Sequence, residues 1–375
     1  MLDKFLTQKL AAINGVDLDT ETTFADLTTL RVGGTPALTV RCSLADAAVD
    51  ALRILDEAQV RQVVIGGGSN LVVAEGEVDV VAVVLEFADV TIDEETGILR
   101  AEAGANWDDV VAQSVSKNLG GIECLSGIPG TVGAVPVQNV GAYGAEISDV
   151  LQRVRLYHRH TGVVSWEDAS DLDLAYRYSN LKFTGRAVVL EVELKLTTDG
   201  LSTPLRFGQL TQTPGEQRPV AEVRDEVLAL RRGKGMVLDA DDHDTWSAGS
   251  FFTNPVVTSD IADAIQDKVR TERGDADADR MPRHAVHAHD DIKNPDGNPT
   301  EKLSAAWLIE RAGFAKGYPG KGPATLSTKH TLALTNRGNA TANDIVALAR
   351  DIRDGVAEAF NVELVPEPVW IDLEF

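Results

Sequence analysis

The chain has 375 residues, more than the ~250–300 over which one hydrophobic core keeps growing, so two or three domains are expected. Its 43% hydrophobic and 25% charged residues are the composition of a folded globular protein rather than a disordered one. A formal net charge of −23 argues against nucleic acid as a partner and against docking on an anionic membrane, both of which call for a basic surface. No apolar run approaches the ~18 residues of a membrane span, and Met1-Leu2-Asp3-Lys4 does not open a signal peptide, so a cytoplasmic protein is expected. Cys42 and Cys124 are the only cysteines, too few for a metal cluster or a disulfide scaffold.

In chain order, a short helix and its exit reach about residue 19, followed by a polar lead-in over 21–30. Thr39–Arg41 reads as a strand end. Ser43 with Asp46 forms an N-cap signature for a helix whose apolar positions are Leu44, Ala47, Ala48, Leu52 and Leu55. Val63-Val64-Ile65 is a short buried strand running into Gly66-Gly67-Gly68-Ser69-Asn70, and 78–85 is a further strand, which makes this region α/β. Another strand spans 98–104. A helix follows from Asn106 to Leu119, with Val110, Val111 and Val115 inward and Gly120-Gly121 as its stop. Residues 150–196 are mostly strands. Beyond about Met236 the pattern gives a helix over 261–269, a long polar surface loop over 272–300 and a helix over 304–312. The last helix starts at a Thr341/Asp344 capping box and carries Ile345, Leu348, Ala349, Ile352, Val356 and Phe360 on one face.

Two glycine-rich segments carry the first functional signal. Gly66-Gly67-Gly68-Ser69-Asn70 follows a strand directly, and glycines there let the backbone turn tightly and expose consecutive N–H groups to an anion. It is not G-x-G-x-x-G and no helix follows it, so a Rossmann site is excluded. The 317–322 run fails as a P-loop, because no Ser or Thr follows Lys321 and the first Gly is missing. The second segment holds Ser126, Gly127, Ile128, Pro129, Gly130, Thr131 and Gly133, then Gln138, Asn139, Gly141, Ala142, Tyr143 and Gly144. Two such segments in one α/β region point to a phosphorylated cofactor, and their uncharged donors suit the edge of a flavin ring. The residues alone leave FAD and other phosphorylated cofactors open.

These segments, with Thr29-Leu30-Arg31-Val32-Gly33-Gly34, the run 176–182, Gly249-Ser250-Phe251-Phe252-Thr253-Asn254-Pro255 and Leu364-Val365-Pro366-Glu367, resemble the UDP-N-acetylenolpyruvoylglucosamine reductase family from about residue 20 to the end. The resemblance implies a two-subdomain FAD-binding fold of the vanillyl-alcohol-oxidase type, mixed α/β and α+β, followed by an α+β substrate-binding domain. The implied bounds are 1–95 with the tail 366–375, 96–235, and 236–365. It further implies non-covalent FAD, NADPH, a UDP-sugar enolpyruvyl ether as substrate, and a monomer. Arg31 joins the glycine segments as a cofactor residue. Ser250 matches the family's proton donor, Arg177 the partner of the substrate carboxylate, and Glu367 a third active-site residue. Tyr176, Lys234 and Asn254 match substrate contacts.

Two departures stand out. Phe207 replaces a mobile-loop tyrosine, and Arg311 stands where the family has Gln, a change expected to strengthen diphosphate binding. Arg224 and Arg232 read as a solvated helix face. His284, His287 and His289 beside Asp290 and Asp291 read as solvated loop rather than a zinc site, which needs fixed ligand geometry. Two rivals compete with the reductase: another flavin oxidase on the same cofactor fold, and a non-catalytic flavin or UDP-sugar module. Retention of Arg177, Ser250 and Glu367 argues against both.

Overall fold

The computed structural model describes residues 3–206, 208–286 and 299–375. These form two compact units. One comprises the described residues of Met1–Leu27, Gly34–Ser69 and Gly76–Leu238; the other, those of Thr28–Gly33, Asn70–Glu75 and Asp239–Phe375.

Two larger sheets form the body of the first unit. In the four-stranded sheet the order is Val16–Asp19, Thr35–Cys42, Glu77–Leu85, Gln62–Ile65, with the last three strands parallel. Helix Ala45–Glu57 buries Ala48, Leu52 and Leu55 with Val40 and Val83 of that sheet in one cluster. The helix is capped differently from the expectation: Leu44 occupies the N-cap, and the Ser43 hydroxyl instead donates to the Gly15 carbonyl at 3.1 Å. The five-stranded antiparallel sheet runs Val163–Asp168, Leu151–His158, Ala187–Lys195, Ile98–Glu102, Val90–Asp93. Helices Trp107–Ser116 and Val220–Gly233 pack on it through Trp107, Val111, Val223 and Val227. Asn106 caps the first of these by accepting from Asp109 N–H, and that helix ends at Lys117, before the glycine pair at 120–121. Cys42 and Cys124 are free and buried, and burial pushes both thiols up to about 12, which rules them out as nucleophiles.

In the second unit, helix Ala342–Phe360 carries the expected capping box, with Thr341 and Asp344 each accepting from the other's backbone. All six residues of its expected apolar face are buried, in a cluster with Phe251, Phe252, Leu308 and Leu334. The chain enters this unit twice before residue 239. Asn336 Nδ2 donates to the Leu30 and Arg31 carbonyls at 3.2 and 3.1 Å, and Leu71–Val73 pairs in parallel with Val369–Ile371. The tail 366–375 thus pairs with a stretch inside the 1–95 it was expected to join, and both segments fall in the second unit.

The expected surface loop over 272–300 is in part regular structure. Helix Ser259–Arg273 extends into it, a short helix Asp275–Ala278 follows, and Arg283–Ala285 joins Thr300–Leu303 and Val256–Thr258 in a three-stranded antiparallel sheet. Ala278 and Met281 anchor the stretch in the core, too few apolar residues to produce a periodic signal. His284 is exposed on that strand; His287, His289, Asp290 and Asp291 lie outside the described residues. No described helix is long and apolar enough to cross a membrane.

A forked ion pair fixes the strand: Arg283 donates through Nε and Nη2 to both oxygens of Glu301, each at 2.6 Å. That fork, working against burial, lowers the Glu301 carboxyl from 4.5 to about 2. A depressed folded-state pKa contributes stability above the unfolded value that is lost as pH falls. Glu301→Gln is therefore expected to lower unfolding free energy by about 2 kcal/mol near neutral pH. The gap to wild type should narrow below pH 4.5 and close near 2, as measured by denaturant titration at stepped pH.

Candidate functional site

The first glycine segment leaves the edge strand Gln62–Ile65 and meets the second inside the same unit. A Cβ on Gly67 would lie 2.6 Å from Gly130 Cα, and one on Gly66 would lie 2.4 Å from Thr131 Oγ1. The Ser69 hydroxyl donates to the Pro129 carbonyl at 3.1 Å, and Thr131 bridges to Asn106. The two loops are thus backbone on backbone, a packing open only to glycine. Among the described residues, no backbone carbonyl accepts from the N–H groups of Gly67, Gly68 or Ser69. Three successive donors left this way beside a second glycine turn form an anion nest, which fits the diphosphate of FAD.

Residues of the second segment divide by what their side chains already do. Ser126 is fully buried and its hydroxyl donates to the Glu123 carbonyl at 2.6 Å, so a ligand meets only its backbone. Asn139 is buried as well, in the left-handed region at φ 43°. Its amide donates to Glu146 and to the Ala175 carbonyl and accepts from Ser148 N–H, which occupies the side chain within the protein. Ile128 packs against the core, Gln138 ends a short 3-10 turn, and Gly133 N–H donates to the Ala103 carbonyl. Gly141–Ala142 pairs with Ala145–Glu146, leaving Tyr143 and Gly144 at a two-residue tip with φ 53° and 84°.

Arg177 stands on a second tight turn, closed by the Ala175–Tyr178 bridge, with φ 55°. A non-glycine residue there carries roughly 1 kcal/mol of strain. The guanidinium compensates by donating to the Gly141 carbonyl at 3.0 Å, and it lies over the Tyr176 ring at 5.1 Å. The Tyr143 and Arg177 hairpins are thereby locked together.

Positive charge is gathered behind this region by helix Val220–Gly233. Arg224, expected to be solvated, is only 14% exposed and forks onto Asp108 at 2.6 and 3.0 Å, while Asp108 also accepts from Gly127 N–H at 2.6 Å. Burial works against the Asp108 charge, but Arg224 and the Gly127 N–H hold its carboxyl below the usual range. Arg232 is exposed, as expected. Arg231 is buried, donates to the Met236 carbonyl, and its Nε has no partner among the described residues. Burial lowers its pKa, while raising that of Tyr143. Lys234 lies 5.7 Å from the centroid of the Tyr143 ring and donates to Gln209 at 3.2 Å. Phe207 lies outside the described residues.

The second unit holds Ser250 and Glu367 on adjoining backbone. Phe251 N–H donates to the Leu332 carbonyl at 2.7 Å, and the Phe251 carbonyl accepts from Glu367 N–H at 2.8 Å. Phe252 bridges to Pro366. Asn70 Nδ2 donates to the Glu367 carbonyl and the Asn70 carbonyl accepts from Val369 N–H, so Asn70 anchors the same strand. Arg31, at φ 55°, stacks its guanidinium 3.8 Å from the Trp246 ring centroid. Asn254 caps helix Ala305–Arg311, accepting from Ala305 N–H at 3.0 Å. Arg311, expected to meet the diphosphate, is instead engaged by Asp277 at 2.6 Å and Glu310 at 2.9 Å, on the Trp307 ring.

One residue that the sequence did not single out faces Ser250. His330 Nε2 lies 3.5 Å from the Ser250 hydroxyl. No spacing motif marks it, since it follows Ser327-Thr328-Lys329 in a loop. Among the described residues no group of three or more His, Cys, Asp or Glu is placed to hold a metal ion.

Comparison with known proteins fits this arrangement. Residues 36–166 match the family model described as an FAD binding domain. Residues 241–371 match that described as UDP-N-acetylenolpyruvoylglucosamine reductase, C-terminal domain. The chain is 61% identical, over 100% of its length and 99% of the relative's, to the UDP-N-acetylenolpyruvoylglucosamine reductase of Corynebacterium glutamicum strain R. It is 52% identical to that of Mycobacterium tuberculosis H37Rv, over 92% of this chain and 93% of that one. The crystal structure of the reductase from Thermus caldophilus shares the fold, with a TM-score of 0.60 at 24% identity over 95% of this chain and 98% of that one. The expected FAD-binding fold class and the FAD cofactor are thereby borne out.

Gly67→Ala is expected to force the two loops apart, costing about 1–3 kcal/mol of stability and most of the bound flavin. Gly233→Ala, where a Cβ meets nothing within 4 Å, should leave both unchanged. Flavin absorbance per mole of purified chain and thermal unfolding check this.

Proposed function

The chain belongs to the UDP-N-acetylenolpyruvoylglucosamine reductase family, and we propose that Ser250 protonates C2 of the substrate while Arg177 and Glu367 manage the charge that hydride addition creates. The overall reaction is the FAD- and NADPH-dependent reduction of UDP-N-acetylglucosamine enolpyruvate. The glycine loops would hold FAD, which would supply the hydride taken from NADPH and added at C3 of the enolpyruvyl ether. C3 becomes a methyl group, and the electron pair of the former double bond moves to C2 and its carboxylate. The chain must therefore supply a cation at the carboxylate and a proton at C2.

Arg177 suits the first task, because its permanently charged planar fork matches a carboxylate and its turn holds it rigid. Ser250 suits the second. Serine is a weak acid, but an enolate of this kind is basic enough to take its proton when the two are well placed. Glu367, fixed in extended backbone by Pro366 and Pro368, assists at the same step. Lys234 and Tyr176 serve the substrate diphosphate and its approach, and the glycine loops with Tyr143 hold the cofactor. The observation that carries the reading is the pinning of the Ser250–Phe251 backbone to Leu332 on one side and Glu367 on the other. It supports the reading by holding Ser250 and Glu367 on neighbouring backbone.

Anaerobic stopped-flow separates the half-reactions. NADPH should bleach the flavin of wild type and of Ser250→Ala at similar rates. Reoxidation by the enolpyruvyl UDP-sugar should be at least ~100-fold slower in the variant. Wild-type flavin that this substrate leaves reduced would sink the reading, and two normal half-reactions in the variant would remove Ser250 from it.

A further inference from the structure

We propose that His330 is the proton relay behind Ser250, returning a proton to the serine after each transfer to C2. The proposal rests on Ser250 being the donor to C2.

Donation by Ser250 breaks its O–H bond, forms a C–H bond at C2 and leaves an alkoxide. An alkoxide is far too basic to persist, so the site needs a stronger acid within reach. His330 Nε2, at 3.5 Å from Ser250 Oγ, is within reach, and imidazole is the side chain whose charge changes nearest neutral pH. Catalytic hydrogen bonds are often this long without substrate and tighten when it binds. In the relay, the imidazolium Nε2–H bond breaks as the serine O–H bond re-forms. The neutral imidazole then takes a proton from solvent. Hydride and proton entering the substrate are thus balanced by one hydride equivalent from NADPH and one solvent proton.

The backbone of His330 is tied into its own loop. His330 N–H donates to Ser327 Oγ at 3.2 Å and the His330 carbonyl accepts from Ala333 N–H at 3.1 Å, both interactions of its backbone. The loop is also held by buried Asp244, which accepts from the Thr328 backbone and hydroxyl and pairs with Arg337 at 3.1 Å. The charges near His330 are paired as well. Lys329 is neutralised by Asp242 at 2.5 Å, and Glu310 accepts from Thr331 at 2.6 Å while pairing with Arg311. A glutamine in place of His330 would keep a donor toward Ser250 but transfer no proton, which makes His330→Gln the discriminating variant.

The test uses the holoenzyme, reduced with one equivalent of NADPH and mixed with the enolpyruvyl UDP-sugar from about pH 6 to 9. Wild-type reoxidation is expected to slow as pH rises through the imidazole titration. His330→Gln should bleach normally with NADPH, reoxidise roughly 10–100-fold more slowly at neutral pH, and lose that pH dependence. Wild-type rate and profile in the variant overturn the relay. A second measurement needs no turnover and no altered histidine loop: the NMR titration of the His330 ring in wild type and in Ser250→Ala. A changed titration supports the coupling and an identical one overturns it. If wild type itself is not reoxidised by the substrate, the functional reading fails, while the ring titration still decides the coupling.

Discussion

Gly67 and Gly130 meet where residue 67 has no room for a side chain and residue 130, at φ 129°, holds a backbone that favours glycine, and the cofactor end of the first unit depends on that contact. With a Cβ to Cα separation of 2.6 Å, any larger residue at 67 separates two backbone segments rather than displacing a side chain. The consequence is chemical as well as steric. Two loops in direct backbone contact present N–H groups in a fixed array, and a fixed array of dipoles binds an anion without reorganising. Ser69 on Pro129 and Thr131 on Asn106 keep the loops from sliding. The glycines are thus required twice, once by the neighbouring loop and once by the ligand, and the first requirement is what makes the second rigid.

The second unit solves a different problem by the same means. The proton donor proposed here is useful only if its hydroxyl stays put, and Ser250 has a one-carbon side chain that adds little freedom of its own. Its position is therefore the position of its backbone. Phe251 and Phe252 are buried edge-to-face at 5.3 Å, and the Phe251 backbone is bonded to Leu332 and Glu367. Core packing of the two rings and the two backbone bonds of Phe251 fix the chain next to the serine. The same two bonds bring Glu367 and the 327–333 loop alongside it.

Legibility in the sequence followed the length scale of the signal. Helix Ala342–Phe360 was readable in full, because a cap and six apolar positions at period 3.6 all agree. The strand before Gly66 and the glycine loops were readable for the same reason, a local pattern with one structural meaning. Residues 272–300 were misread because Ala278 and Met281 alone carry the burial and Arg283 is placed by Glu301, 18 residues away. Arg224 was misread as solvated because its partner Asp108 is 116 residues distant. Arg231 could have been found: it continues the inward series Val220, Val223, Val227 of its helix. His330 could not, since only the fold brings residue 330 to residue 250.

Net charge frames the remaining step. A protein at −23 that uses FAD, NADPH and, as proposed, a UDP-sugar has three diphosphates to meet against its own net charge. Its cations are gathered singly and held. Arg231 is buried on the Met236 carbonyl, and Arg177 is strained into place against that of Gly141. Both guanidiniums are oriented by the fold through a backbone carbonyl. Arg224 and Arg311 mark the opposite case. Asp108 already consumes the charge of the first, and Asp277 with Glu310 that of the second, although its position matches one expected to meet phosphate. Backbone carbonyls orient the first two guanidiniums and carboxylates the other two, although Asp108 also lies within electrostatic reach of Arg231. That distinction lies in the fold and not in the residue type.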